Sequence, residues 1–234
     1  MSATITTSLQ PFQKVQIQSM NSEFPVDDAE LFAIYELNGS IRSAAAFFCE
    51  GNETYECYAF TERSCRHQGL FTTLFDFAIE TLPEDAEFLF YTNGADPDTM
   101  AVLDALEAEC VLKEHMMEIS LSAWKQRQAT DSEAPLTMTC TTADNTIIRH
   151  YETPYGSVNI SVFSSYYYLY GLEIHQEDRG QGHGYHLLLQ VIQDLAALNP
   201  LPLQLQVSGE NAPAISLYKK TGFQITETLF GYLY

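Results

Sequence analysis

Basic residues are scarce in this chain of 234 residues: 11 Lys and Arg stand against 31 Asp and Glu, a formal charge of −20 at pH 7. Phosphate backbones are held by clustered Lys and Arg, so this balance argues against a nucleic-acid partner. Cysteine is also sparse. Cys49, Cys57, Cys65, Cys110 and Cys140 are odd in number and never stand as C-x-x-C, which argues against a disulfide framework or a zinc site and leaves buried or inert thiols. No apolar run approaches the ~20 residues of a membrane span. The polar start Met1 to Ser8 lacks the basic region and apolar core of a secretion signal. These absences predict a cytoplasmic protein with no membrane partner. The hydrophobic share, 46%, is ordinary for a globular protein and suffices for one large domain or two small ones. Acidic residues concentrate before Lys125, which favours solubility and would also draw cationic amines toward the surface.

Against this background one stretch stands out. Tyr166 to Leu172 is rich in aromatics and reads as a strand. Tyr185, Leu188, Leu189, Ile192, Leu195 and Ala196 then recur at helical spacing. Between them lies Glu173-Ile174-His175-Gln176-Glu177-Asp178-Arg179-Gly180-Gln181-Gly182-His183-Gly184. Glycines at alternate positions permit backbone conformations that a Cβ forbids, and they expose N–H groups where a helix dipole is positive. That is an anion cradle, with Arg179 at its mouth able to add a charge-assisted hydrogen bond to a phosphate oxygen. The Walker pattern is absent, and the dinucleotide fingerprint fails because its third glycine would fall on Tyr185. An architectural helix start is the competing reading.

A second stretch follows. Leu203 to Val207 reads as a buried strand, Ser208-Gly209-Glu210 as a loop, and Asn211 as the cap of a helix that carries Ala214, Leu217 and Tyr218 and ends at Gly222-Phe223. Together, Arg179-x-x-Gly182-x-Gly184 and Asn211-x-x-Ala214-x-x-Leu217-Tyr218-x-x-x-Gly222-Phe223 resemble the paired acetyl-CoA motifs of the GNAT superfamily of N-acetyltransferases. The resemblance covers residues 140–234 well and the first half only faintly. It implies an α+β fold, a twisted mixed sheet with helices on its faces, in which two parallel strands part to admit the pantetheine arm of acetyl-CoA.

On that resemblance the amides of Gly180, Gln181, Gly182, His183 and Gly184, with Arg179, hold the diphosphate. The main chain of Leu172 and Ile174 faces the pantetheine and acetyl carbonyl, and Asn211 belongs to the cofactor site. Tyr218 stands where the family carries the acid that protonates the departing thiolate; a phenol with a pKa near ~10 suits that task. A core tyrosine is the plainer reading of the same residue. The base is less visible. Tyr170 and Tyr168 occupy the positions that carry it in some relatives and are poor bases near neutral pH, so Glu173 is the candidate and His175 an exposed strand-end residue. His183 and His186 lack the further ligands of a metal site, and none is expected.

In chain order, residues 1–30 read as an irregular lead-in with a short helix. Strands follow at Leu31–Leu37 and Ile41–Cys49, joined by Asn38-Gly39-Ser40, and at Tyr55–Phe60. A helix runs from Leu70 to Leu82, then come a strand at Phe88–Tyr91, a helix at Pro97–Leu106 and a closing strand at Val111–Leu121. Trp124 to Pro135 is polar. After it come strands at Leu136–Thr141, Thr146–Tyr151 and Val158–Phe163, the stretches already described, and a last strand at Leu229–Tyr234. The halves repeat: Arg66 and Arg179 lie 113 residues apart, as do Gly69 and Gly182, Asp98 and Asn211, and Ala101 and Ala214. A tandem duplication is expected, with a degenerate GNAT-like lobe at 1–125, a linker at 126–135 and an acetyl-CoA-binding lobe at 136–234. In the same register Phe71 replaces Gly184, putting a ring where a phosphate would approach, and Ala105 replaces Tyr218. The first lobe is therefore expected to be scaffold. The resemblance implies transfer of an acetyl group from acetyl-CoA to a primary amine, on a small molecule or a peptide, by a monomer or homodimer. A non-catalytic acyl-CoA sensor or interaction module is the alternative, encouraged by the absence of an obvious base.

Overall fold

The computed structural model describes residues 2–124, 134–143 and 145–234. By contacts the chain divides into two compact units, one of residues 1–111 with 230–234 and one of residues 112–229.

The first unit begins with β1 (Ser2–Thr6) and α1 (Pro11–Met20), followed by β2 (Leu31–Leu37), β3 (Ser40–Gly51) and β4 (Thr54–Thr61). The β2–β3 turn is Asn38-Gly39, both at positive φ, as a two-residue hairpin requires. A 3-10 turn (Arg63–Cys65), α2 (Leu70–Ile79), β5 (Glu87–Thr92) and α3 (Pro97–Ala105) complete its helices and strands. Strands β1 to β4 pair antiparallel in sequence order, and β4 pairs parallel with β5. Both faces of this sheet are covered. Ala33, Ala45 and Phe47 pack with Leu74, Phe75 and Ala78 of α2, whereas Phe32, Ile34, Ala44 and Ala46 pack with Ile17 of α1. Side chains alternate along a strand, so two opposed cores make β2 and the middle of β3 apolar almost without interruption. The lead-in is more regular than its sequence suggests: five residues of β1 pair with Phe32–Glu36 at the sheet edge, too short a run for periodicity to reveal.

The second unit contains most of β6 (Glu109–Ser120), then β7 (Thr137–Ala143), β8 (Thr146–Thr153), β9 (Gly156–Val162), β10 (Tyr167–Ile174), a 3-10 turn (Gln176–Asp178), α4 (His183–Leu198), β11 (Pro202–Ser208), α5 (Ala212–Thr221) and the start of β12 (Gln224–Leu233). Strands β7 to β10 form an antiparallel meander, β10 pairs parallel with β11, and β11 pairs antiparallel with β6. One core serves the unit. Leu187, Leu188, Val191, Ile192 and Leu195 of α4 lie on Tyr167, Leu169, Leu203 and Leu205, with Tyr218 and Phe223 at the α5 side. Buried Tyr151 donates from its hydroxyl to Asp194 Oδ2 at 2.5 Å, and Arg149 lies 3.3 Å from the same oxygen, so α4 is fastened to β8 by a charge-assisted pair.

The unit boundary differs from the one expected. Residues 125–133 of the polar stretch lie outside the described residues, and by contacts the division falls at Val111/Leu112. The physical reason is pairing: Glu114–Ser120 of β6 run the length of β11. The last strand divides too. Thr226 and Thr228 bond to Met116 O and His115 Nδ1 in the second unit, while Phe230–Leu233 pair with Leu89–Thr92 in the first.

The C-terminal residues are thus part of the first core. Phe88 and Tyr234 exchange N–H···O bonds of 2.8 and 3.0 Å, and the Tyr234 ring lies 5.6 Å from Phe75. Deleting Phe230–Tyr234 would leave the edge of β5 unpaired and remove buried aromatic area. The expected cost is about 3 kcal/mol or more. Hydrogen exchange should show lost protection in β5 and α2 while β8 and β9 keep theirs.

Candidate active site

The site begins where a ladder stops. Parallel pairing of β10 with β11 runs from Tyr167/Leu203 to Leu169/Leu205, and both strands continue beyond it. On its other side β10 carries a bulge: Tyr170 pairs with Asn159 and Glu173 with Ser157, so β10 has one extra residue there. Gly171 takes φ +61 within it. A bulge bends its strand, and here it turns β10 away from β11 and leaves backbone groups of the two strands facing a gap. The first unit repeats this, with β4/β5 pairing that ends at Glu56/Leu89.

After β10 the chain makes the 3-10 turn and enters α4. Gly182 is the helix cap at φ +90, and Gly180 takes φ +76. The earliest intrahelical bond is donated by His186 N to Gly182 O, so the amides of His183, Gly184 and Tyr185 have no acceptor within the helix. No acidic residue lies in that first turn. The result is a cradle of N–H groups with the positive end of the helix dipole behind it. Arg179 donates from Nε to Ile174 O at 2.9 Å, which ties the turn to the end of β10 and fixes the guanidinium at the mouth. Gln181 closes the turn by donating from Nε2 to Glu177 O at 2.9 Å, and the His183 ring stacks on Tyr155 at 3.7 Å.

Gly184 also meets a packing demand. Its backbone is helical, and a Cβ there would come 3.2 Å from Leu217 Cδ2 and 3.4 Å from Ile174 Cγ1. Its small size lets α4 approach α5 and β10. Asn211 caps α5, its Oδ1 accepting from Ala214 N at 3.1 Å, and so sets where that helix starts.

Tyr218 and Glu173 lie on opposite faces of the sheet. Leu172 and Ile174 pack on the core beneath α4 and α5, so Glu173 between them projects from the other face, where it is exposed. Tyr218 is buried on the α5 face, 7% exposed, with its ring 5.7 Å from Phe223. Burial raises its pKa above the usual tyrosine value, which keeps the phenol protonated. Among the described residues no group accepts or donates a hydrogen bond at its hydroxyl. His175 is exposed and its Nδ1 lies 3.9 Å from Asp178.

The sequence reading missed an acidic neighbourhood on the Glu173 face. Glu114 and Glu118 of β6 share the face of Gln204 and Gln206, to which both are hydrogen-bonded. Burial and then Glu114 raise the pKa of Tyr168. The signal was available in the alternation of β6, but its pairing with β11 was not. Among the described residues no three His, Cys, Asp or Glu side chains are grouped to hold a metal, and no helix is long and apolar enough to cross a membrane.

Two parallel strands that part, an amide cradle and a phenol on the following helix are the elements of the site. The comparisons narrow the class. Residues 112–223 match the acetyltransferase (GNAT) family. A tandem GNAT protein from the clavulanic acid biosynthesis pathway is similar over 100% of this chain and 98% of its own, with a TM-score of 0.61 at 12% identity. A GCN5-related N-acetyltransferase from Sphaerobacter thermophilus is similar over 94% of this chain and 84% of its own, with a TM-score of 0.58 at 11% identity. A GNAT-family acetyltransferase from Colwellia psychrerythraea is similar over 99% of both chains, with a TM-score of 0.54 at 12% identity. No curated protein sequence matches the chain. The family match lies in the second unit, and the chain as a whole shares the fold of a tandem GNAT protein. Acetyl-CoA is the acyl donor that the family uses.

Gly182→Ala puts a Cβ on a residue at φ +90 and should cost about 1–2 kcal/mol. Asn211→Ala removes the α5 cap and should cost about 1 kcal/mol. Thermal unfolding measures both, and an unchanged midpoint for either would contradict the backbone role given to it.

Proposed function

We propose that the protein transfers an acetyl group from acetyl-CoA to a primary amine at the gap between β10 and β11, with donor and acceptor bound together. The observation that carries this reading is the parting of the two strands directly above the cradle formed by residues 179–184. When bound, acetyl-CoA supplies a thioester carbonyl open to attack by a neutral amine. The amides of Gly182, His183 and Gly184, with those of Gly180 and Gln181 and the guanidinium of Arg179, hold its diphosphate. The main chain of Leu172 and Ile174 at the bulge lies along the pantetheine, and a backbone N–H there stabilises charge that develops on the carbonyl oxygen.

Tyr218 is the proton donor. Its hydroxyl is on the α5 side of the gap, and burial favours the protonated form that a donor to a thiolate needs. Glu173 takes the ammonium proton of the acceptor from the opposite face. Glu114 and Glu118 make that face acidic and favour a cationic acceptor, a small-molecule or peptide amine. The duplication is read as a first lobe at 1–125, a linker at 126–135 and a second lobe at 136–234, with the chemistry assigned to the second.

Tyr218→Phe should lower kcat by about 10²-fold or more with little change in acetyl-CoA affinity, as expected when one proton donor is lost. Release of the coenzyme thiol across an amine panel measures it; turnover equal to wild type would remove Tyr218 from this role. Because the phenol's pKa is raised, loss of rate through its ionisation should begin only above the usual tyrosine value near ~10. A limb attributable to Tyr218, absent in Tyr218→Phe, that falls near pH 8 would contradict the assignment. Glu173→Gln should reduce the rate most at low pH, where the free amine is scarce.

A further inference from the structure

The first unit holds a cavity of about 570 Å³ between β4, β5, α2 and α3, in the gap that opens after Glu56/Leu89. Its backbone reproduces the second unit's cradle closely. The 3-10 turn Arg63–Cys65 stands in register with Gln176–Asp178, and Gly69 caps α2 at φ +73 as Gly182 caps α4 at φ +90. His67 takes φ +59 at the position of Gly180. Arg66 donates from Nε to Thr61 O at 3.3 Å, the counterpart of the Arg179–Ile174 bond. Neither α2 nor α4 has an acidic residue in its first turn.

What differs is charge. The Arg66 guanidinium lies 2.8 Å from Asp98 Oδ2 and 3.4 Å from Asp96 Oδ2, and His67 Nε2 lies 3.2 Å from Asp98 Oδ1. The hydrogen bond from Arg66 holds the Asp98 carboxyl below its usual range, so it is ionised at neutral pH. Arg179 has no acidic partner within ion-pair distance among the described residues. Phe71 is among the residues that line the cavity.

We propose that Asp96 and Asp98 decide the ligand specificity of the first cleft: they occupy Arg66 and repel a diphosphate, so the protein binds acyl-coenzyme A once per chain, although both units carry the backbone cradle. Two carboxylates at the mouth of the cleft, one of them bonded to the arginine that would bind a phosphate oxygen, oppose entry of a ligand with a doubly charged head. The inference rests on the reading of the second unit as the acyl-coenzyme A site.

The test is calorimetric titration of the full chain with acetyl-CoA. Wild type should bind one equivalent. Asp96→Asn with Asp98→Asn should bind a second, with affinity for the first cleft raised by about tenfold or more, as expected for releasing one close charge pair. Asn is as good a helix cap as Asp, so α3 keeps its start. Asp98→Asn alone leaves the cap untouched and should show the same gain more weakly, so the test survives a double variant that fails to fold. Adding Arg66→Ala should abolish the gained equivalent. Two equivalents on wild type, no gain in the folded Asp98→Asn and double variants, or a gain that persists without Arg66 would each overturn the proposal. No binding to wild type with one equivalent gained in the variant would instead defeat the reading of the second unit and support this one.

Discussion

The bend of β10 away from β11 is the feature on which the site depends. Pairing satisfies the facing edges of two strands, and along an edge that keeps its partner a strand has no backbone to offer a ligand. The extra residue at Gly171–Leu172 breaks this arrangement locally. β10 stays bonded to β9 through Glu173 and Ile174 while it parts from β11 after Leu169. The cost of the unpaired edge is confined to a few residues because Tyr167, Leu169, Leu203 and Leu205 remain in the core just before the gap. Everything else is positioned from there. Arg179 is bonded to the carbonyl of Ile174, the last residue of the bent strand, and Gly184 is small because α4 must pass close to Ile174 and Leu217. The gap, the cradle and α5 are thus set by contacts that converge on one strand end.

Legibility followed the range of the interaction. The turn into α4 could be read because Arg179, Gly180 and Gly182 each answer a local demand: a nearby carbonyl, or a positive φ. Asn211 was legible as a cap for the same reason. Gly184 was recognised as a motif residue, but its packing demand was hidden, since the atoms that border it belong to Leu217, thirty-three residues on. The division of β12 could not be read, because an alternating pattern reports a buried face and says nothing about which neighbouring strand supplies the hydrogen bonds. Glu114 and Glu118 escaped notice similarly: alternation places them opposite His115 and Met117, but only the pairing with β11 brings them to the acceptor side.

The repeat arithmetic held where the backbone was constrained and slipped where it was not. A spacing of 113 describes the strand start, the 3-10 turn, the arginine and the capping glycine in both units. At the final helices the caps are Asp96 and Asn211, so the spacing is two residues longer there than Asp98 and Asn211 imply. The difference is already present at the starts of β5 and β11, Glu87 and Pro202, so it arises between the capping glycine and those strands, where α2 has 10 residues and α4 has 16. Counted from the caps, Tyr218 corresponds to Leu103, and both are the buried face of their helices. The first unit therefore keeps the packing that the tyrosine ring provides and lacks its hydroxyl.

That pattern separates what duplication conserves for folding from what it leaves free to change. Gly69 and the positive φ of His67 persist in the first unit because the strand-to-helix turn demands them whether or not a ligand is present. Arg66 persists with its bond to Thr61 O for the same structural reason. The remaining guanidinium nitrogens have no such obligation. Carboxylates at the start of α3 pair with the guanidinium and also suit the dipole of that helix, to which acidic residues in the first turn are favourable. In the second unit the same carboxylates would compete with the diphosphate for Arg179, and the corresponding helix start carries the neutral cap Asn211 and no acidic residue in its first turn.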